Sequence, residues 1–161
     1  MSISPAFQKE LQAEFRGDIS VDPKDLITYS HDASLFEVRP ELVVWPKDEQ
    51  DIKTLVNFVN KNKKDNPNLA ITVRGAGTCM SGGALGESIV ADTTRYLKGV
   101  LNLGEGEVTV LPGTLYRDFE AAAKKTGQML PSYTASKDLN AIGGMIGNNS
   151  GGEKNLRYGK T

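Results

Sequence analysis

Two short stretches of this chain hold most of its glycine, and that uneven placement constrains the backbone more than any other feature. Of 17 glycines in 161 residues, five lie within Gly75–Gly86 and six within Gly143–Gly159. Glycine adopts positive φ freely and has no side chain to hold other groups away. A cluster therefore marks a backbone that turns sharply or approaches something closely. The first cluster reads Arg74-Gly75-Ala76-Gly77-Thr78-Cys79-Met80-Ser81-Gly82-Gly83-Ala84. Glycines at 75 and 77 let successive N–H groups converge on an anion. Thr78 and Ser81 add hydroxyl donors, and Arg74 adds charge. That chemistry suits a pyrophosphate; the plainer alternative is a tight surface turn after a strand.

The second cluster, Ala141-Ile142-Gly143-Gly144-Met145-Ile146-Gly147-Asn148-Asn149-Ser150-Gly151-Gly152, follows Pro131 and a cap residue at Ser136 or Asp138. Paired glycines let a backbone approach a flat ring or a neighbouring chain. Asn148, Asn149 and Ser150 supply polar atoms. Taken alone, this segment reads first as a loop or tight packing site and second as a ligand wall. Asn148-Asn149-Ser150 also matches the glycosylation sequon, although nothing else in the chain points to a secretory route.

The two commonest nucleotide motifs are missing. A dinucleotide fingerprint G-x-G-x-x-G starting at Gly75 requires glycine where Met80 stands. A Walker A loop starting at Gly147 places Glu153 at the essential lysine. Neither cluster is a P-loop.

Around the clusters the patterning alternates. Ser4-Pro5 opens a helix, serine as cap and proline in the first turn, with Phe7, Leu11 and Phe15 on one stripe and a stop at Gly17. Leu42–Trp45 reads as a buried strand closed by Pro46. Asp48 caps a helix carrying Ile52, Leu55, Val56 and Val59, and the polar stretch Lys61–Asn68 ends it. Ala70–Val73 is the next strand, and the first glycine cluster begins where it stops. Strand, helix, strand without a hairpin signal implies a parallel pair joined by a right-handed crossover. Ser88–Asp92, Val100–Leu103 and Val108–Leu111 are further strands, and Leu115, Phe119 and Ala122 mark a helix stopped at Gly127. The expected class is α+β with one βαβ unit and additional strands.

Composition excludes several functions. Net charge is −1, with acids and bases interspersed, which argues against the positive footprint of a nucleic-acid binder. Cys79 is the one cysteine and His31 the one histidine, so neither an internal disulfide nor a multi-Cys or multi-His metal centre is available; no metal site is expected. No apolar run approaches the length of a membrane span, about 20 residues. The amphipathic N-terminus lacks the apolar centre of a secretory signal. The expected location is cytoplasmic, with peripheral membrane attachment through a missing region as the alternative.

Several ordered motifs resemble the FAD-binding domain of the vanillyl-alcohol oxidase/p-cresol methylhydroxylase superfamily. They are Tyr29-Ser30-His31-Asp32-Ala33-Ser34, Val44-Trp45-Pro46, Arg74–Thr78 with Ser81–Ala84, Ile142-Gly143-Gly144 with Asn149–Gly152, and Arg157-Tyr158-Gly159. Within that superfamily the likeness is to the D-lactate dehydrogenase and glycolate oxidase large-subunit branch. It implies an α+β FAD-binding type-2 (PCMH-type) fold of two small α/β lobes, the βαβ unit in the first and the second incomplete. On that reading residues 1–40 are a helical lead-in and 41–161 the FAD-binding domain, with lobes at about 41–95 and 96–161. The resemblance assigns phosphate contacts to Gly75, Ala76, Gly77, Thr78, Ser81 and Gly82, and Arg74 and Gly83 join them in the expected cofactor-binding set. A second set, Pro131, Ser136, Gly143, Gly144, Asn148 and Asn149, borders the ribityl chain and flavin. Relatives that attach FAD covalently often carry histidine at the position of Thr78, so the cofactor is expected to be non-covalent. His31 replaces the arginine that many relatives place before Asp-Ala-Ser.

The resemblance further implies oxidation of a D-2-hydroxy acid such as lactate or glycolate. Electrons would pass to a quinone, cytochrome or iron-sulfur partner. Substrate-positioning and proton-accepting residues lie in a part of the family that follows the region matched here, so this chain is expected to be an N-terminal portion without a catalytic residue of its own. The competing readings are a non-catalytic nucleotide- or anion-binding module and an inactive fragment. His31 reads as structural, Cys79 as a small packing residue, Trp45 as core, Asp92 as a local hydrogen-bonding group and Lys61, Lys63 and Lys64 as a solvated face.

Overall fold

The structure is a computed structural model that describes residues 3–161. Met1 and Ser2 of the amphipathic N-terminal stretch lie outside the described residues. Helix α1 (Pro5–Glu14) starts as its sequence dictates, with the Ser4 hydroxyl accepting from the Phe7 N–H. Leu11 and Phe15 are buried, and Phe7 stacks edge-on against Phe58 at 4.7 Å. Gly17 does not stop this helix, which has already ended. It lies in the next segment, where a β-carbon would collide with the Trp45 carbonyl.

Two short elements escape the sequence patterning. Strand β1 (Asp18–Ser20) pairs antiparallel with β2 (Leu42–Trp45), Ile19 opposite Val44. Between them runs α2 (Pro23–Tyr29), capped by Asp22, whose carboxylate accepts from the Lys24 N–H at 2.8 Å. Helix α3 (Glu49–Asn62) follows β2 and is capped by Asp48. Its Leu55, Phe58 and Val59 join Leu11 and Phe15 in the first core.

Strands β3 (Ile71–Arg74) and β4 (Ile89–Asp92) complete a four-stranded sheet in the order β1-β2-β4-β3. β2, β4 and β3 are mutually parallel, but β2 and β3 do not touch, because β4 lies between them. The expected parallel relation holds, while the expected adjacency does not. The reason is visible in composition: β4 is buried at every position, as a central parallel strand should be. β3 leaves Val73 65% exposed at the edge. The loop joining β3 to β4 is the first glycine cluster.

The second part is smaller. β5 (Val100–Leu103) and β6 (Val108–Val110) form an antiparallel ribbon with a register shift between Val100 and Asn102. Helix α4 (Tyr116–Lys124) buries Tyr116, Phe119 and Ala123, so the apolar face is offset by one residue from the Leu115 and Ala122 positions of the sequence reading. It packs on Ile142 and Met145 of α5 (Ile142–Gly147), and α6 (Asn155–Tyr158) ends the element order. The two parts meet tightly at Gly113, where a β-carbon would strike the Thr93 carbonyl. The Gly113 N–H donates to the Leu97 carbonyl at 2.7 Å.

Candidate cofactor site

The glycine loop after β3 and the segment around α5 face each other across a cavity of about 780 Å³. Two loops that are remote in sequence meet there because each is attached to a core. The first loop leaves the C-terminal end of β3, where Arg74 lies opposite Asp92 at the C-terminal end of β4, the usual place for a ligand on a parallel sheet. α5 is held by three contacts to the segment before α4. The Gly143 N–H donates to the Pro112 carbonyl at 2.8 Å, the Ile142 N–H to the Thr114 carbonyl at 2.9 Å, and the Tyr116 N–H to the Asn140 carbonyl at 3.0 Å. The second cluster is thus partly helical, with Ala141 as its cap residue and no side-chain cap bond. Neither Ser136 nor Asp138 caps it, because both lie in the turn before Asn140.

Ten of the residues singled out from sequence line this cavity: Gly75, Ala76, Gly77, Thr78 and Gly83 on one side, and Ser136, Gly143, Gly144, Asn148 and Asn149 on the other. The glycines serve different needs. Gly77 sits at φ 68°, in the left-handed region. Gly75 allows close approach, since a β-carbon there would lie 3.3 Å from the Ala141 Cβ and 3.7 Å from the Gly144 N. Gly144 and Gly147 have nothing within 4 Å of such an atom, so bare backbone meets the open cavity.

Four predicted residues are not among the lining. Gly82, at φ 78°, packs beneath Phe36, 3.0 Å from its would-be β-carbon. Ser81 is exposed and hydrogen-bonds with the Cys79 thiol at 3.2 Å, and Pro131 is half-buried away from the opening. Arg74 is tucked beneath the loop and is not part of the lining: its guanidinium carbon lies 5.1 Å above the Tyr29 ring. Cys79 does reach the cavity, and the Ser81 hydroxyl holds its thiol below the ordinary cysteine range. His31 is exposed, 3.7 Å from Glu37, and is not part of the lining.

Sequence reasoning missed Thr93, Pro112 and Asn140, which the fold brings to the cavity from separate connections. Asn140 is 4% exposed; its Nδ2 donates to the Thr134 hydroxyl at 2.5 Å, and its Oδ1 is buried without a partner. Buried polar atoms of that kind are uncommon and point to a missing partner. No Lys, Arg, His, Asp or Glu lines the cavity. Its chemistry is that of neutral N–H and hydroxyl donors beside apolar surface. Among the described residues no group of three His, Cys, Asp or Glu could hold a metal ion. No helix there is long and apolar enough to cross a membrane.

Residues 40–161, which include both walls, match the model of a known family described as FAD binding domain. This chain belongs to that family. Its relatives include the D-2-hydroxyglutarate dehydrogenase of Escherichia coli (strain K12), 28% identical over 96% of this chain and 15% of the relative. Another is glycolate oxidase subunit GlcD of Bacillus subtilis (strain 168), 28% identical over 84% of this chain and 28% of the relative. The solved structure of an alkyldihydroxyacetonephosphate synthase superposes with a TM-score of 0.81 at 24% identity, covering 98% of this chain and 31% of that one. The fold is accordingly the α+β FAD-binding PCMH type. The chain spans between about a seventh and a third of the length of these proteins. The chain is thus an FAD binding domain, similar over its length to a part of these dehydrogenase and oxidase relatives.

Proposed function

We propose that this chain binds FAD non-covalently in the cavity between its glycine clusters, as the flavin-holding part of an enzyme that oxidises a D-2-hydroxy acid such as lactate or glycolate. One observation carries the reading: both walls of the cavity expose glycine backbone, at Gly75 and Gly77 on one side and at Gly144 and Gly147 on the other. The residues present fit such a cofactor. A volume of about 780 Å³ suits a large organic ligand, and the orphaned Asn140 Oδ1 waits for a donor.

Bound FAD supplies a hydride acceptor for the hydrogen on the substrate α-carbon. The chain's own residues bind and orient. N–H groups of Gly75, Ala76 and Gly77 with the Thr78 hydroxyl would hold the pyrophosphate, and Gly143, Gly144, Asn148 and Asn149 would hold the ribityl chain and ring. Thr78 has no imidazole with which to form a covalent link. No carboxylate, histidine or lysine lines the cavity, so its walls position the cofactor and exclude water without taking the substrate's hydroxyl proton. A quinone, cytochrome or iron-sulfur partner is the proposed electron acceptor of the complete enzyme.

The test is direct titration of the purified chain with FAD, followed by flavin absorbance and fluorescence. A yellow protein whose flavin is released by denaturation supports the proposal. A colourless protein that binds ADP but not FAD points instead to a nucleotide-binding module, and folded protein that binds neither overturns the reading.

A further inference from the structure

Arg74 is the basic residue closest in sequence to the phosphate loop, and electrostatics alone would assign it to the phosphates. Its surroundings say otherwise. The guanidinium lies 5.1 Å over the Tyr29 ring, and Nη1 sits 3.5 Å from the Tyr29 carbonyl. The same group packs under Gly77, where a β-carbon would lie 2.9 Å from its central carbon. Tyr29 is itself held in place. Its hydroxyl donates to Asp92 at 2.5 Å and accepts from the Trp45 indole N–H at 2.9 Å, and the two rings meet edge-on at 5.7 Å. Asp92 is buried at the end of β4 and also accepts from Thr94. The tyrosine ring is therefore a fixed platform, and a cation over a fixed ring loses little freedom. The loop is pinned on its other flank by the Ala33 N–H, which donates to the Gly77 carbonyl at 3.0 Å.

We propose that Arg74 is a positioning residue: stacked on Tyr29, it props the Gly75–Gly77 turn from beneath, and the cofactor's pyrophosphate is recognised by neutral donors alone. The uncharged lining is the second observation behind this assignment. It rests on the proposed FAD reading for the identity of the anion, but not for the geometry of the prop. A neutral cradle suits a pyrophosphate esterified at both ends, which carries about one charge per phosphorus, better than the doubly charged monoester of a mononucleotide.

The experiment measures FAD affinity of the full chain between about 0.05 and about 0.5 M sodium chloride, a range over which screening of exposed charges changes strongly. Five proteins are compared: wild type, Arg74→Met, Tyr29→Leu, the double variant of these two, and Tyr29→Phe. Tyr29→Phe removes the bonds to Asp92 and Trp45 but keeps the ring, so it separates the platform from its anchors. Wild-type affinity is expected to vary by less than about twofold with salt. Arg74→Met and Tyr29→Leu should each weaken binding by about tenfold, equally at both salt concentrations, and the double variant no further, since the pair acts as one unit. Tyr29→Phe should lose less than Tyr29→Leu, because the ring stays under the guanidinium although its hydroxyl bonds are gone. A salt-steep wild type that becomes flat in Arg74→Met would make Arg74 a counter-ion and overturn the proposal, as would equal losses in Tyr29→Phe and Tyr29→Leu. Should wild type bind no FAD, the parent reading fails separately. The prop is then read from amide exchange at Ala33 in the ligand-free protein. Exchange faster in Arg74→Met and Tyr29→Leu than in Tyr29→Phe sustains it, and no change overturns it.

Discussion

The two glycine clusters share a composition but not a physical cause. In the loop after β3, Gly77 and Gly82 are required by backbone angle, at φ 68° and 78°. Around α5, no glycine from Gly143 to Gly152 has positive φ; what matters there is space. Gly143 is jammed against Pro112 and Gly152 against the Tyr133 carbonyl, whereas Gly144 and Gly147 face nothing. Counting glycines finds both segments, yet only geometry separates a turn, a close contact and an open wall. The first loop sits on a wide four-stranded sheet, the second on a small core around Tyr116, Ile142 and Met145.

The difference gives a graded set of substitutions. The largest effect is expected at Gly143→Val, whose β-carbon would meet the Pro112 Cβ at 2.7 Å and its carbonyl at 2.8 Å. A clash with backbone cannot be relieved by a rotamer, and a loss of about 3 kcal/mol is expected in denaturant unfolding. An unchanged midpoint would erase the distinction between jammed and open glycines. Next comes Gly77→Val, a β-branched residue in the left-handed region. It should cost about 1–3 kcal/mol of strain and abolish FAD binding; unchanged FAD affinity would count heavily against the proposed pyrophosphate loop. Gly144→Ala sharpens the contrast most cleanly. The helix should gain up to about 1 kcal/mol because alanine is the better helix former, while the new methyl enters the cavity and weakens FAD binding. Stability and affinity should move in opposite directions, and a parallel fall in both would place Gly144 among the packing glycines.

The smallest effect concerns the core beneath the second cluster. Burial first, then the Glu120 charge, pushes the Tyr116 phenol up to about 12. A raised folded-state pKa means that the associated stability is fully present below the ordinary tyrosine value, about 10. It is lost as pH rises through about 12. Tyr116→Phe should flatten the alkaline fall in melting temperature, at the cost of the hydrogen bond to the Leu130 carbonyl. An unaltered alkaline profile would remove Tyr116 from that account.

Much of this was legible in the chain because it rests on local signals. Ser4-Pro5, the α1 stripe, the Asp48 cap and the apolar runs of β2 and β4 act over a few residues each. Asp22-Pro23 offered the same helix-start signal as Ser4-Pro5 and identifies α2 once it is weighed. β1 gave no such sign, since three residues of mixed polarity become a strand only through pairing with β2. The site divides in the same way. Gly75, Gly77 and Thr78 announce themselves, while Thr93, Pro112 and Asn140 reach the cavity through tertiary packing. Arg74 was legible as a cation but not as a cation facing inward, because Tyr29 stands 45 positions earlier.

The insertion of β4 between β2 and β3 has a consequence for the order in which the molecule assembles. While the chain is being made, β2 and β3 emerge with no partner for each other, and neither can complete its pairing until Ile89–Asp92 has followed. Non-local parallel pairing of this kind is slow and leaves strand edges open in the interval. The Gly75–Gly86 stretch is the tether along which β4 swings back into the gap, so its flexibility serves the search before its fixed turns serve the ligand. A chain cut after Arg74 should accordingly melt without cooperativity, and the cradle is the last piece of the sheet to take its shape.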